Sequence, residues 1–165
     1  MKNFVLKGDI CYSVSPTEMK TLSGYAVCMD GRCQGVFEIL PAEYSSLELH
    51  DYTGKLIIPG MVDLHIHAPQ YAFRGMGMDA ELIEWLNTQT FPEEAKYKDL
   101  EYAKKAYTIF TENMKKSATT RASIFATRHV DATKLLMDLM EQTGIVSYVG
   151  KVNMDRFATD ELMED

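Results

Sequence analysis

The chain has 165 residues, 46% hydrophobic and 25% charged, with 24 acidic against 17 basic side chains and a net charge of -7. This composition is globular and excludes a disordered chain or a coiled coil. The acidic balance gives no footprint for nucleic acid or an anionic membrane surface. The apolar runs, such as Leu56-Ile57-Ile58, are too short to form a transmembrane helix. No apolar stretch near the first residue suits a signal peptide, so the expected location is cytoplasmic.

Residues 1–58 read as β-rich. Phe4 to Leu6, Gly24 to Met29 and Gln34 to Ile39 are short predicted strands. Turn signals at Gly8-Asp9, Ser15-Pro16 and Asp30-Gly31 separate them. Leu47 to Asp51 alternates apolar and polar residues, and Thr53-Gly54 is expected to end it. The expectation is a small antiparallel sheet, with one helical turn at Pro41-Ala42-Glu43. A two-residue turn at Asp30-Gly31 would set Cys28 opposite Cys33. Two reduced thiols are the expected state there. Three cysteines, counting Cys11, make no disulfide framework.

The pattern changes from Leu56. Pro59-Gly60 makes a turn, and Met61 to His67 reads as a mostly apolar strand. Asp79 to Thr88 reads as a helix carrying Leu82, Ile83, Trp85 and Leu86. Thr90 and Glu93 have capping-box spacing and Pro92 suits a first turn, so a new helix is expected to start there. Leu100, Ala103, Tyr107, Phe110 and Met114 then mark one buried helical face. Ser123 to Thr127 reads as a buried strand. Asp131 to Thr143 reads as a helix with Leu135, Leu136, Leu139 and Met140 inward and Gly144 as its stop. Ile145 to Val152 closes the series as a strand. This alternation predicts an α/β unit with a parallel sheet over residues 59–165.

His65 and His67 carry the chemistry. One residue apart on a strand, both imidazoles share a face. Two such nitrogens can share Zn²⁺ or Fe²⁺. Taken alone, the pair is also compatible with two histidines on a half-exposed strand. Their place at the C-terminal end of a buried strand is where α/β barrels put their active sites. Asp63 has the same parity and could orient a ligand, although a structural role in the barrel floor suits it better. Gln70 follows in the next loop, and its amide offers a donor and an acceptor together. Trp85 suits a pocket wall or a core position equally. Arg74 and Gly75 to Met78 read as a loop near the mouth, and His129 as a loop or helix-start histidine.

The segment Pro59-Gly60-Met61-Val62-Asp63-Leu64-His65-Ile66-His67 resembles the first-strand signature of the amidohydrolase superfamily. The resemblance implies a metal-dependent hydrolase on a (β/α)8 TIM barrel. Residues 1–58 would then be the N-terminal part of a small flanking β-sandwich. His65 to Phe73, Glu84-Trp85-Leu86, Thr90 to Glu93, Phe125-Ala126-Thr127 and Val149 to Asp155 look like the guanine deaminase branch. That implies hydrolytic deamination of a purine in purine metabolism. His65 and His67 would hold the metal, with Gln70 and Trp85 at the substrate. Other deaminases acting on pterins, triazines or cytosine are the alternative, as is an inactive piece with a partial two-histidine site.

The further metal ligands and the proton-shuttling carboxylate of the superfamily have no counterpart among these residues. The residues after Pro59 are also too few for a closed barrel, which takes about 200–250. The expectation is therefore an N-terminal piece, prone to aggregate if isolated. Homodimeric assembly of a full-length protein is implied by the resemblance alone.

Overall fold

A computed structural model of the chain describes residues 2–164. It divides into two compact units, residues 1–59 and 60–165. Among the described residues, no helix is long and apolar enough to cross a membrane.

The first unit is a four-stranded sheet of order β3-β2-β1-β4, made of β1 (Phe4–Ser15), β2 (Glu18–Met29), β3 (Arg32–Phe37) and β4 (Glu48–Ile57). The Asp30-Gly31 turn lies where expected, and the turn expected at Ser15-Pro16 falls one residue later, at Pro16-Thr17. Asp30 and Gly31 have φ of 51° and 75°, the left-handed pair a two-residue hairpin demands. Cys28 and Cys33 pair directly across that hairpin as free thiols.

Three expectations fail here. No turn forms at Gly8-Asp9, and β1 runs straight through it. Gly8 instead marks a close approach. β4 bulges opposite it, and a Cβ on Gly8 would lie 3.0 Å from the Tyr52 carbonyl oxygen. Nor does Thr53-Gly54 end its strand, because β4 absorbs Gly54 (φ 80°) in that irregularity and continues to Ile57. The sheet is also not purely antiparallel: β4 runs parallel to β1. The long connection through β2, β3 and the short 3₁₀ turn Ala42–Tyr44 lets the chain return in that sense.

The second unit is a parallel sheet of order β5-β6-β7, made of β5 (Met61–His67), β6 (Thr119–Phe125) and β7 (Val146–Gly150). β6 starts four residues earlier than its apolar run suggests, because Thr119 already pairs with Met61. A 3₁₀ segment (Ala68–Phe73) follows β5 directly. Four α-helices complete the unit: α1 (Leu82–Trp85), α2 (Phe91–Ala95), α3 (Leu100–Lys115) and α4 (Val130–Glu141).

The core of this unit joins Tyr107, Phe110 and Met114 of α3 with Leu136 and Met140 of α4, over Ala122 and Ile124 of β6. Full burial of one such large apolar side chain is worth about 1.5–3 kcal/mol. Leu100, expected inward, is 46% exposed. It is the first residue of α3, where Asp99 caps the backbone N–H of Glu101 at 2.9 Å. Gly144 (φ 76°) stops the run that contains α4, as expected.

The expected helix break at Thr90 does not occur. A π-helical turn, Leu86–Thr90, joins α1 to α2 without interruption. Thr90 is helical (φ -70°, ψ -57°) and makes no capping hydrogen bond. The wider turn accommodates Pro92, which has no N–H to give and would crowd the carbonyl four residues back in a regular helix.

Candidate functional site

His65 and His67 end β5, and their Nε2 atoms converge to 3.2 Å. Two nitrogens bound at about 2.0–2.1 Å to one tetrahedral cation would stand about 3.3 Å apart. The pair therefore fits one edge of a metal's coordination shell. The β5–β6 register shifts between Asp63 and Ile66: three residues on β5 span two on β6, which is a bulge at Leu64-His65. Asp63 accepts a hydrogen bond from the His65 backbone N–H at 3.1 Å, so its carboxylate supports the bulge rather than an imidazole.

Phe125, at the end of β6, lies against both rings. Its centroid is 4.7 Å from that of His65 and 4.8 Å from that of His67. Burial, then the neighbouring His65, holds the His67 imidazole below its ordinary pKa and so in the neutral form that a metal ligand needs. His67 Nδ1 is buried without a hydrogen-bond partner. Among the described residues, no group of three or more His, Cys, Asp or Glu side chains could hold a metal. His65 and His67 are the pair that converges.

An open cleft of about 620 Å³ begins at these histidines and is lined further by Gln70, Phe73, Arg74, Trp85 and neighbouring residues. The 3₁₀ segment after β5 places Gln70 in it within one turn of His67. Trp85 is no core residue. It is half-buried and packs against Phe73 at 5.6 Å between centroids, with its indole N–H donating to the Met76 carbonyl at 3.4 Å. Gly77 (φ 66°) lies beneath it, where a Cβ would come within 3.0 Å of the indole. The segment Arg74 to Met78 belongs to the cleft wall. Arg74 donates to the Tyr71 carbonyl at 2.9 Å and stacks over its ring at 3.9 Å.

His129 lies elsewhere. It occupies the N-cap position of α4 and lines a separate cavity with Lys98, Arg128 and Glu164. Lys151 is paired with Glu164 at 2.7 Å.

Two site features are missed by sequence reasoning. Phe125 belongs to a segment that carries the family resemblance, but nothing in the sequence says that its ring packs on the two histidines. Glu94 is 2% exposed, and its Oε1 accepts from the Gln70 side-chain amide at 3.5 Å. Burial raises the Glu94 carboxyl to about 7, the Gln70 hydrogen bond partly opposing it. An acidic dipeptide on a short helix is the sole sequence signal, and it does not say which acid turns inward.

The amidohydrolase family model matches residues 56–165, from the end of β4 through the whole second unit. The chain belongs to the amidohydrolase family. This amidohydrolase chain is 31% identical to guanine deaminase of Dictyostelium discoideum, over 97% of its own length and 40% of that protein. It is 41% identical to guanine deaminase of Mus musculus, over 70% of its length and 24% of that protein. A solved structure of guanine deaminase from C. acetobutylicum, with guanine bound in its active site, superposes with a TM-score of 0.93 at 41% identity. That match covers 99% of this chain and 39% of the other. The chain thus spans 40% or less of these relatives, and it has the mixed α/β fold of their N-terminal part.

Proposed function

We propose that this chain is the N-terminal part of a guanine deaminase, which converts guanine and water to xanthine and ammonia. One observation carries the reading. The convergent His65 and His67 nitrogens open onto the same cleft as Gln70 and Trp85, in a fold that matches a guanine-bound deaminase at 41% identity. In the domain reading, residues 1–58 contribute to a β-sandwich and residues 59–165 supply the first strands of the barrel.

In this reading His65 and His67 hold a divalent metal, with Zn²⁺ the choice their nitrogen chemistry suits and Fe²⁺ the second. Such a metal supplies the Lewis acidity that makes water a nucleophile near neutral pH. Phe125 fixes the two imidazoles by packing on both. Gln70 contacts the edge of the purine through its carboxamide. Trp85 and Phe73 cover the base and exclude bulk water. A C–O bond forms at the carbon bearing the exocyclic amine, the C–N bond breaks, and nitrogen leaves as ammonia. No residue of this chain is assigned the proton transfer. A place in purine metabolism, a cytoplasmic location and homodimeric assembly belong to the same reading. Three free thiols suit a reducing compartment.

The test is a steady-state assay of the protein carrying this chain together with the remaining length of its relatives. Loss of guanine absorbance with stoichiometric ammonia is expected. Unreactive guanine beside turnover of a pterin, a triazine or cytosine overturns the reading in favour of another amidohydrolase activity.

A further inference from the structure

Glu93 and Glu94 are adjacent on α2, both buried, and differently satisfied. Glu93 accepts from the Tyr102 hydroxyl and pairs with Lys96 at 2.6 Å. Glu94 is more deeply buried and has no ion-pair partner among the described residues. One of its oxygens has no hydrogen-bond partner there either, and the other meets the Gln70 amide. Burying a carboxyl this poorly compensated costs free energy. It calls for a return at the one contact it makes.

The contact sets a direction. A carboxyl oxygen without its proton can only accept, so it selects the NH₂ end of the Gln70 carboxamide. The Gln70 oxygen is then left for the cleft. Glu94 keeps an accepting oxygen whether ionised or neutral. Tyr107 and Thr90 also present buried hydroxyls without hydrogen-bond partners, and Oε1 meets the Gln70 amide alone.

We propose that Glu94 is a positioning residue: it holds the Gln70 carboxamide by its nitrogen, so that Oε1 of Gln70 faces the substrate as an acceptor and selects a ring edge rich in N–H donors. This rests on the guanine deaminase reading. Guanine presents such an edge at its ring N–H and 2-amino group, and a base that presents only acceptors there would be rejected by desolvation of an unpaired carbonyl.

The experiment uses the full-length protein. Glu94→Met removes the acceptor at similar volume, and Glu94→Gln restores an oxygen that can accept. E94M is expected to raise KM for guanine about tenfold, the scale of one lost hydrogen bond, with kcat changed less than about threefold. E94Q is expected to recover most of that loss. In a Gln70→Ala background the E94M effect should vanish, since Glu94 acts through Gln70. An undiminished effect in that background, or E94Q as impaired as E94M, overturns the proposal and leaves Glu94 a core residue. Should E94M not fold, Glu94→Asp keeps the acid but withdraws it by one methylene; an unchanged KM then overturns the proposal. Should wild-type protein leave guanine untouched, the functional reading falls separately. Crystal structures of wild type and E94M then decide the positioning alone: a displaced Gln70 supports it, and an unmoved one overturns it.

Discussion

Phe125 and His67 stack face to face across the β5–β6 pair, with centroids 4.8 Å apart and planes 13° from parallel. They are also register partners, so the ladder itself places the ring against the imidazole. In the proposed metal site this apolar plate would orient His67 as hydrogen-bonded partners orient ligands elsewhere.

Replacing Phe125 by Ala should therefore weaken metal binding by about tenfold, the lower end of the effect of losing a ligand's support. Competition of the purified protein with a chromophoric chelator checks this. Affinity equal to wild type would mean that the histidines hold their own orientation.

His65→Ala and His67→Ala should each remove bound metal, read by elemental analysis. His65 is exposed and should cost little in folding stability, whereas His67 is half-buried and packs beneath Phe125. A thermal melt in excess chelator separates the two effects. Full metal content in either variant would count against the site.

Glu94 gives stability a pH dependence of defined sign. Its carboxyl is raised from 4.5 to about 7 by burial. Between those values the native state keeps a proton that the unfolded chain has released. Its contribution is thus fully present below about pH 4.5 and is lost as pH rises through 7, by on the order of 3 kcal/mol. Asp51, lowered to about 2, acts in the opposite sense below pH 4 and lies outside this window. His67 and His129, both held below the ordinary imidazole value, act in the opposite sense in this window in wild type and E94Q alike. Denaturant titrations of the two proteins at pH 5 and pH 7.5 should therefore show wild type losing more stability, or gaining less, than E94Q as pH rises. An identical change in both would place the Glu94 carboxyl near its ordinary value.

Gly24 sits where a Cβ would lie 2.2 Å from the Phe37 carbonyl oxygen, a backbone atom that cannot swing aside. Gly24→Ala should cost about 1–3 kcal/mol by forcing β2 and β3 apart. Gly54→Ala also meets strain, at φ 80°, but has open space around it and should cost less. Denaturation midpoints of the two variants check the order.

What the sequence made legible was local chemistry. Asp30-Gly31 and Gly144 announce their turns by backbone demands that few residues meet. His65 and His67 announce a shared face by spacing alone. The parts that stayed hidden depend on pairing across distance. Gly8 reads as a turn until β4 is known to press on it. Nothing local at Leu64-His65 marks a bulge, because the extra residue exists only relative to β6. Trp85 could be placed in a core or a wall until Phe73 and Gly77 fixed its neighbours. Glu94 was hidden by its twin, since Glu93 and Glu94 are indistinguishable until the helical phase of α2 is set.

That phase is inherited from the π turn at Leu86–Thr90. Were the same residues wound at 3.6 per turn, everything downstream would rotate by about 100°, one residue's worth. Glu94 would leave Gln70 with no change in any side chain of the cleft. The contact between Glu94 and Gln70 therefore depends on how Leu86–Thr90 are wound. A substitution that regularises this turn should break the contact even where Glu94 and Gln70 are both kept.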